Sequence, residues 1–100
     1  MDGKGGFTYI MTNKNHTTLY VGVSSEIKER VFQHKEKIYP NSFTARYNLT
    51  KLVYFVFHEL IETAIERENQ LKAGSRKKKI DLINSMNPDW RDLWDDIKDW

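Results

Sequence analysis

Apolar and polar residues alternate twice near the start of the chain, and the period then lengthens. Phe7, Tyr9 and Met11 fall on one face of an extended segment, and Thr8, Ile10 and Thr12 on the other, the period-two pattern of a β-strand. The turn formers Asn13-Lys-Asn-His16 follow, after which Leu19, Val21 and Val23 alternate with Tyr20, Gly22 and Ser24. A hairpin turning about Lys14-Asn15 would put Tyr9 directly across from Tyr20. Gly22 would sit two residues along the same face, where a missing side chain leaves room for something to approach the backbone. Met1–Gly6, polar and glycine-rich, reads as a frayed lead-in.

Beyond Ser24 the spacing becomes helical. Ser24 and Ser25 are natural N-caps and Glu26 suits a first turn. Ile27, Val31 and Ile38 form an apolar stripe that contains His34, with Arg30 at its edge one turn earlier. Pro40 bounds this region, and a short helix over 42–48 would carry Phe43 and Tyr47 on one side. Leu52–Phe57 is apolar at both parities and reads as a strand buried on both sides. Glu62–Ala73 predicts a helix stopped by Gly74, and Ser75 caps another that runs to Met86 before Asn87-Pro88 ends it. Asp89 would cap a last helix over about 89–100, whose Trp90, Leu93, Trp94 and Ile97 make a packing face. The expected fold is α+β: a small three-stranded, mostly antiparallel sheet flanked by helices, with a helical C-terminus, residues 1–100 forming one domain.

Composition narrows the function classes. With 39% apolar and 13% aromatic residues the chain is not a disordered tail. Its longest apolar run, Leu52–Phe57, falls far short of the roughly 20 residues that span a bilayer, and no secretory signal pattern opens the sequence. Without cysteine there are no disulfides or thiolate zinc sites. These features predict a cytoplasmic protein with no membrane partner. The net charge of +2 is unevenly spread, because residues 81–100 carry six aspartates against Arg91 and Lys98 and leave +6 on the first eighty. That imbalance suits a basic face that meets phosphates, although a solvated charged surface would look the same.

One carboxylate stands out. On the 62–73 helix Ala64, Ile65 and Leu71 define the apolar face, and Glu68 projects from its middle. A carboxylate there is costly unless it is paired, with Arg30 or a lysine, or holds a cation. Mg²⁺ is commonly held by only one or two protein carboxylates together with phosphate oxygens. Lys72, Arg76, Lys77, Lys78 and Lys79 gather at a helix start, where phosphate is attracted, or where a solvated helix end simply sits. Tyr47 is a candidate for the border of the site. Tyr9, Tyr20, Arg30, His34 and Glu68 together offer what phosphodiester hydrolysis needs: a proton acceptor, a fixed cation and a metal ligand. A tyrosine serves as the base only if a nearby metal or cation lowers its pKa.

Phe7-Thr8-Tyr9 and Tyr20-Val21-Gly22, with tyrosines eleven apart, precede Arg30, His34 and Glu68 within Ile65-Glu-Arg-Glu-Asn69. This series resembles the GIY-YIG nuclease family, in particular its small bacterial stand-alone members related to the N-terminal nuclease domain of the DNA-repair excinuclease. The resemblance covers about 7–87. It implies Mg²⁺- or Mn²⁺-dependent endonucleolytic cleavage of DNA, with RNA as the other candidate, in a setting such as repair or recombination. It further implies Tyr9 as base, Tyr20 supporting water or phosphate, Arg30 stabilising the transition state, His34 assisting and Glu68 holding the metal. Asn87 matches a late asparagine of some members, and with Gly22, Lys72, Arg76, Lys77 and Lys78 it completes the expected nucleic-acid contacts. Phe7 and Thr8 stand where the family has glycine and isoleucine, at positions of backbone and packing. The alternatives are a nucleic-acid-binding module of the same fold that does not cut, and a protein-interaction domain using Trp90–Trp100. The five polar positions favour the enzyme, since a pure binder needs neither Glu68 nor the tyrosine pair.

Overall fold

The computed structural model describes residues 4–100, so the first three residues of the predicted Met1–Gly6 lead-in lie outside the described residues. In chain order the elements are β1 (Gly6–Thr12), β2 (Leu19–Ser24), α1 (Ile27–Lys35), α2 (Phe43–Arg46), β3 (Lys51–His58), α3 (Ile61–Ala73), α4 (Arg76–Met86) and α5 (Trp94–Ile97). Residues just before β1 are tied down rather than frayed, because the Lys4 carbonyl accepts from the Ile61 amide at 2.8 Å.

The sheet is wholly antiparallel in the order β2-β1-β3. The expected α+β architecture is therefore present, but the strand covered on both faces is β1, not the Leu52–Phe57 segment. Thr8 and Thr12 disguise β1 as a half-exposed strand, yet both are fully buried. Their hydroxyls donate to the Ala64 and Thr18 carbonyls at 2.9 and 2.8 Å, which removes the penalty of burying them. An irregularity between Ile10 and Met11 breaks the β1–β3 register. Leu52 consequently packs on one face while the adjacent Val53 and Tyr54 both pack on the other. This bulge explains why β3 reads as apolar at both parities although it is an edge strand whose Phe57 is exposed.

Two cores sandwich the sheet. Tyr9, Met11 and Leu52 pack with Ile27 and Val31 of α1, with Leu49, and with Leu93 and Ile97 near the C-terminus. On the opposite face Ile10, Val21, Val53 and Tyr54 pack with Leu71 of α3 and Ile83 of α4. Thr8 pins the α3 carbonyl of Ala64 to the central strand, one turn ahead of Glu68.

Several boundaries differ from the sequence expectation. The Ser24 hydroxyl accepts from the Glu26 amide rather than capping α1, which begins at Ile27. The helix closes at Lys35: Lys37 turns left-handed (φ 53), and the Ile38 and Lys37 amides reach back to the Gln33 and His34 carbonyls. This Schellman-type ending leaves Ile38 exposed instead of in the core stripe. Ser42 caps α2 and Ser75 caps α4, whereas Gly74 ends α3 in an extended conformation that does not require glycine. The helix expected over 89–100 shrinks to α5, because Asp92 rather than Asp89 organises the turn. Its carboxylate accepts from the Leu52 and Trp94 amides and pairs with Lys35. The tryptophan stripe divides accordingly, Trp94 packing on one core and Trp90 on the other. No helix among the described residues is long and apolar enough to cross a membrane.

Candidate active site

The hairpin register sets the site. Tyr9 pairs with Gly22, and Tyr20 pairs with Met11, two residues from the Tyr9–Tyr20 alignment expected for a turn at Lys14-Asn15. The turn is a longer loop over 13–18, in which Asn13 Oδ1 accepts from the Thr17 and Thr18 amides and His16 adopts φ 58. An even shift keeps both tyrosines on one face, and their ring centroids stand 6.5 Å apart. Gly22 then acquires a definite role. A Cβ there would lie 2.5 Å from the Tyr9 Cζ and hydroxyl oxygen, so the open space belongs to the Tyr9 phenol and not to a nucleic acid. Gly22→Ala is expected to cost about 2 kcal/mol and to displace the phenol; thermal unfolding and the Tyr9 ring signals in an NMR spectrum would read both.

Helix α1 brings His34 over the sheet, and its Nε2 lies 2.9 Å from the Tyr9 hydroxyl. The other ring nitrogen, Nδ1, lies 3.0 Å from the Thr44 hydroxyl of α2, which in turn is 3.3 Å from the Ser42 hydroxyl. Tyr9 and His34 are only 1% and 4% exposed and form the floor, while Tyr20, Arg30 and Glu68 are half-buried around it. Burial, and then the Arg30 guanidinium, lowers the His34 pKa from 6.5 to about 4. Its ring is therefore neutral near pH 7, with one donor and one acceptor nitrogen. The Tyr9 pKa moves up, not down as a simple tyrosine base would require. Burial is the main cause and Tyr20 adds to it; Arg30 opposes it, and Glu68 raises it further. A phenol that keeps its proton needs an acceptor. The arrangement that satisfies every group has Tyr9 donating to Nε2 and Nδ1–H donating to Thr44.

Arg30 makes a 3.0 Å bond to Gln33 Oε1 and lies 5.8 Å from the Tyr39 ring centroid. It is not spent on a carboxylate and keeps donors for an anion. Glu68 lies on α3, which packs across β1 and β2 on the face of Ile10 and Val21, and its charge is felt at Tyr9. Its side chain is 14% exposed, and its partner is not Arg30 but Lys72, one turn along, at 3.0 Å. The apolar face expected around it is narrower than the sequence suggested, since Ile65 is exposed while Ala64 and Leu71 are buried. No group of three or more metal-ligating side chains occurs among the described residues. A lone, largely buried carboxylate fits Mg²⁺ or Mn²⁺, which keep water and phosphate oxygens in their shells; it does not fit an all-protein zinc cage.

The remaining predicted contacts separate. Asn87 is buried and saturated: its amide donates to the Val53 and Arg91 carbonyls and its oxygen accepts from the Arg91 amide. It ties the end of α4 to β3 and does not face the site. Arg76 bonds the His16 carbonyl, Lys77 pairs with Asp81, and Lys78 lines a groove between α3 and α4 with Arg67 and Gln70. Lys72 and Lys79 instead border a depression of about 360 Å³ beside Tyr20, along with Leu19, Val21 and Phe43. Thr44 escaped the sequence reading, for a lone threonine in a polar segment gives no signal. Only the fold shows that it is 3% exposed and faces an imidazole.

The family model for the GIY-YIG catalytic domain matches residues 5–81. The UPF0213 protein SSP2268 of Staphylococcus saprophyticus is 32% identical over 82 residues, covering 78% of this chain and 93% of that protein. A UPF0213 protein of Syntrophus aciditrophicus is 30% identical over 83 residues, covering 83% and 93%. Among solved structures, the solution NMR structure of the UPF0213 protein BH0048 from Bacillus halodurans superposes with a TM-score of 0.56 at 21% identity, covering 89% of this chain and 93% of that one. With the family model matched over residues 5–81 and two relatives at 30% identity or more, the chain belongs to the GIY-YIG family of nucleases.

Proposed function

We propose that the protein is a Mg²⁺- or Mn²⁺-dependent endonuclease that hydrolyses phosphodiester bonds in DNA. The observation that carries this reading is the buried Tyr9–His34 hydrogen bond with the Tyr20 ring against both partners, in the field of the Arg30 guanidinium and, more weakly, of the largely buried Glu68 carboxylate. Glu68 would hold the ion, which when bound supplies a Lewis acid for the phosphate and favours an ionised water. The chain's own residues account for the proton and the charge. Tyr9 takes a proton from the attacking water as it passes its own to His34 Nε2, so no free phenolate with its high pKa has to form; as the new P–O bond forms the bond to the leaving oxygen breaks, and that oxygen takes its proton from solvent. Arg30 steadies the developing charge on the phosphoryl oxygens. Tyr20, beside both Tyr9 and His34, orients water or phosphate at the rim.

The test is cleavage over linear, nicked, branched and single-stranded DNAs and an RNA, with each ion and with chelator. The reading requires ion-dependent cutting of at least one DNA. No cutting of any substrate, with salt-sensitive binding retained, would favour the non-cutting binding module.

Thr44 is a positioning residue in this scheme, because it fixes which His34 nitrogen is free to accept. Thr44→Val is expected to slow cleavage about tenfold, the equivalent of one lost hydrogen bond, while Thr44→Ser retains the rate. Ring-nitrogen chemical shifts of His34 separate this from mere loosening: one tautomer in the wild type and the serine variant, a mixture in the valine variant.

A further inference from the structure

Helix α2 exists to hold Thr44 and Ala45 inward, and both are buried. The residues that flank them point out. Phe43 and Tyr47 are 45% and 48% exposed, yet they lean on each other with centroids 4.7 Å apart and planes tilted by 39°. Phe43 also lies nearly parallel to Tyr20, at 6.2 Å and 28°. An aromatic staircase thus climbs from the active-site tyrosine to the surface. Phe43 and Tyr20 form one side of the depression that Lys72 and Lys79 border. Two rings this exposed gain little from folding, and although Lys72 is paired with Glu68, Lys79 bonds only a neutral carbonyl and keeps its charge, which makes an uncharged apolar occupant a poor match. Flat faces beside ammonium groups are what a nucleotide requires: a base to stack and a phosphate to hold.

We propose that Phe43 and Tyr47 seat an unpaired nucleobase next to the cleaved phosphate, so that the preferred substrate carries unpaired nucleotides at the scissile bond. A base inside a duplex already has both faces covered by its neighbours and cannot lie on the rings. A single strand, a flap or a nucleotide swung out of the helix can. The inference rests on the nuclease reading only for the position of the scissile phosphate.

The test is a binding measurement that no cleavage result can imitate. Single-stranded DNA and RNA oligonucleotides bearing 2-aminopurine are titrated, in chelator, into wild type, Phe43→Leu and Tyr47→Leu, with a blunt DNA duplex alongside. Leucine keeps apolar bulk at an exposed position, and equal melting temperatures establish that the variants are folded. The expected result is quenching of 2-aminopurine by wild type and about a tenfold loss of single-strand affinity in Phe43→Leu, with duplex affinity unchanged. The DNA and RNA arms identify the sugar. Unaltered single-strand affinity in both variants, or equal losses for single strand and duplex, would overturn the proposal. Ring-dependent binding without cutting in any ion would uphold the seat and overturn the nuclease reading alone.

Discussion

Replacing Glu68 with glutamine is expected to lower the rate of DNA cleavage by about a thousandfold while leaving the fold intact. The amide keeps the size of the carboxylate and loses its charge. Its ion pair with the half-exposed Lys72 is an i,i+4 surface pair, worth roughly 0.5 kcal/mol at most to stability. Two effects of Glu68 run in opposite directions, which makes the result informative. Its charge raises the Tyr9 pKa, so neutralising it makes the phenol a slightly better acid. If the carboxylate only perturbed Tyr9, the variant would be as fast as wild type or faster. If it holds the ion that meets the phosphate, the variant is slow and added ion does not rescue it. Single-turnover rates across a range of Mg²⁺ concentrations distinguish the two.

Tyr9→Phe is the second large effect, with an expected loss of about 10²–10⁴-fold, the range of a missing proton-transfer group. The ring stays in a pocket where it is 1% exposed, so packing changes little. What disappears is the hydroxyl 2.9 Å from His34 Nε2, which leaves a buried acceptor unpaired at about 1–3 kcal/mol. Substrate affinity should hold while the chemical step slows. Because His34 accepts only as the neutral ring, wild-type activity should also fall on the acid side as that group charges, toward its pKa of about 4; Tyr9→Phe should flatten this limb. Rate–pH profiles at saturating substrate check both statements.

The candidate constellation is more legible in the sequence than the structure that supports it. Strand alternation and helical spacing suffice to put Tyr9 and Tyr20 on one face and His34 and Arg30 over it, since an even register shift preserves parity. The register itself was not legible, because Asn13-Lys-Asn-His16 fits a tight turn as readily as the longer loop that Asn13 Oδ1 closes. Nor was the central strand. Buried threonines that bond to carbonyls look like solvent-facing positions, and a bulge gives the edge strand β3 the apolar parity of an interior one. Gly22 and Asn87, which the sequence places among the nucleic-acid contacts, each have a structural role it does not signal, one leaving room for the Tyr9 ring and the other saturating backbone groups with both ends of its amide. Thr44 could not have been read at all, because its importance lies in a neighbour ten residues away that only the fold supplies.

The central claim is that Tyr9 and Glu68, carried on opposite faces of the sheet, act on one phosphate. The most direct measurement is a double-mutant cycle of single-turnover cleavage for wild type, Tyr9→Phe, Glu68→Gln and the pair, all purified alike and matched for melting temperature. Groups that act as a unit are non-additive, so the double variant is predicted to be no slower than the slower single variant. Losses that multiply independently, or four proteins that cut equally well, would contradict it.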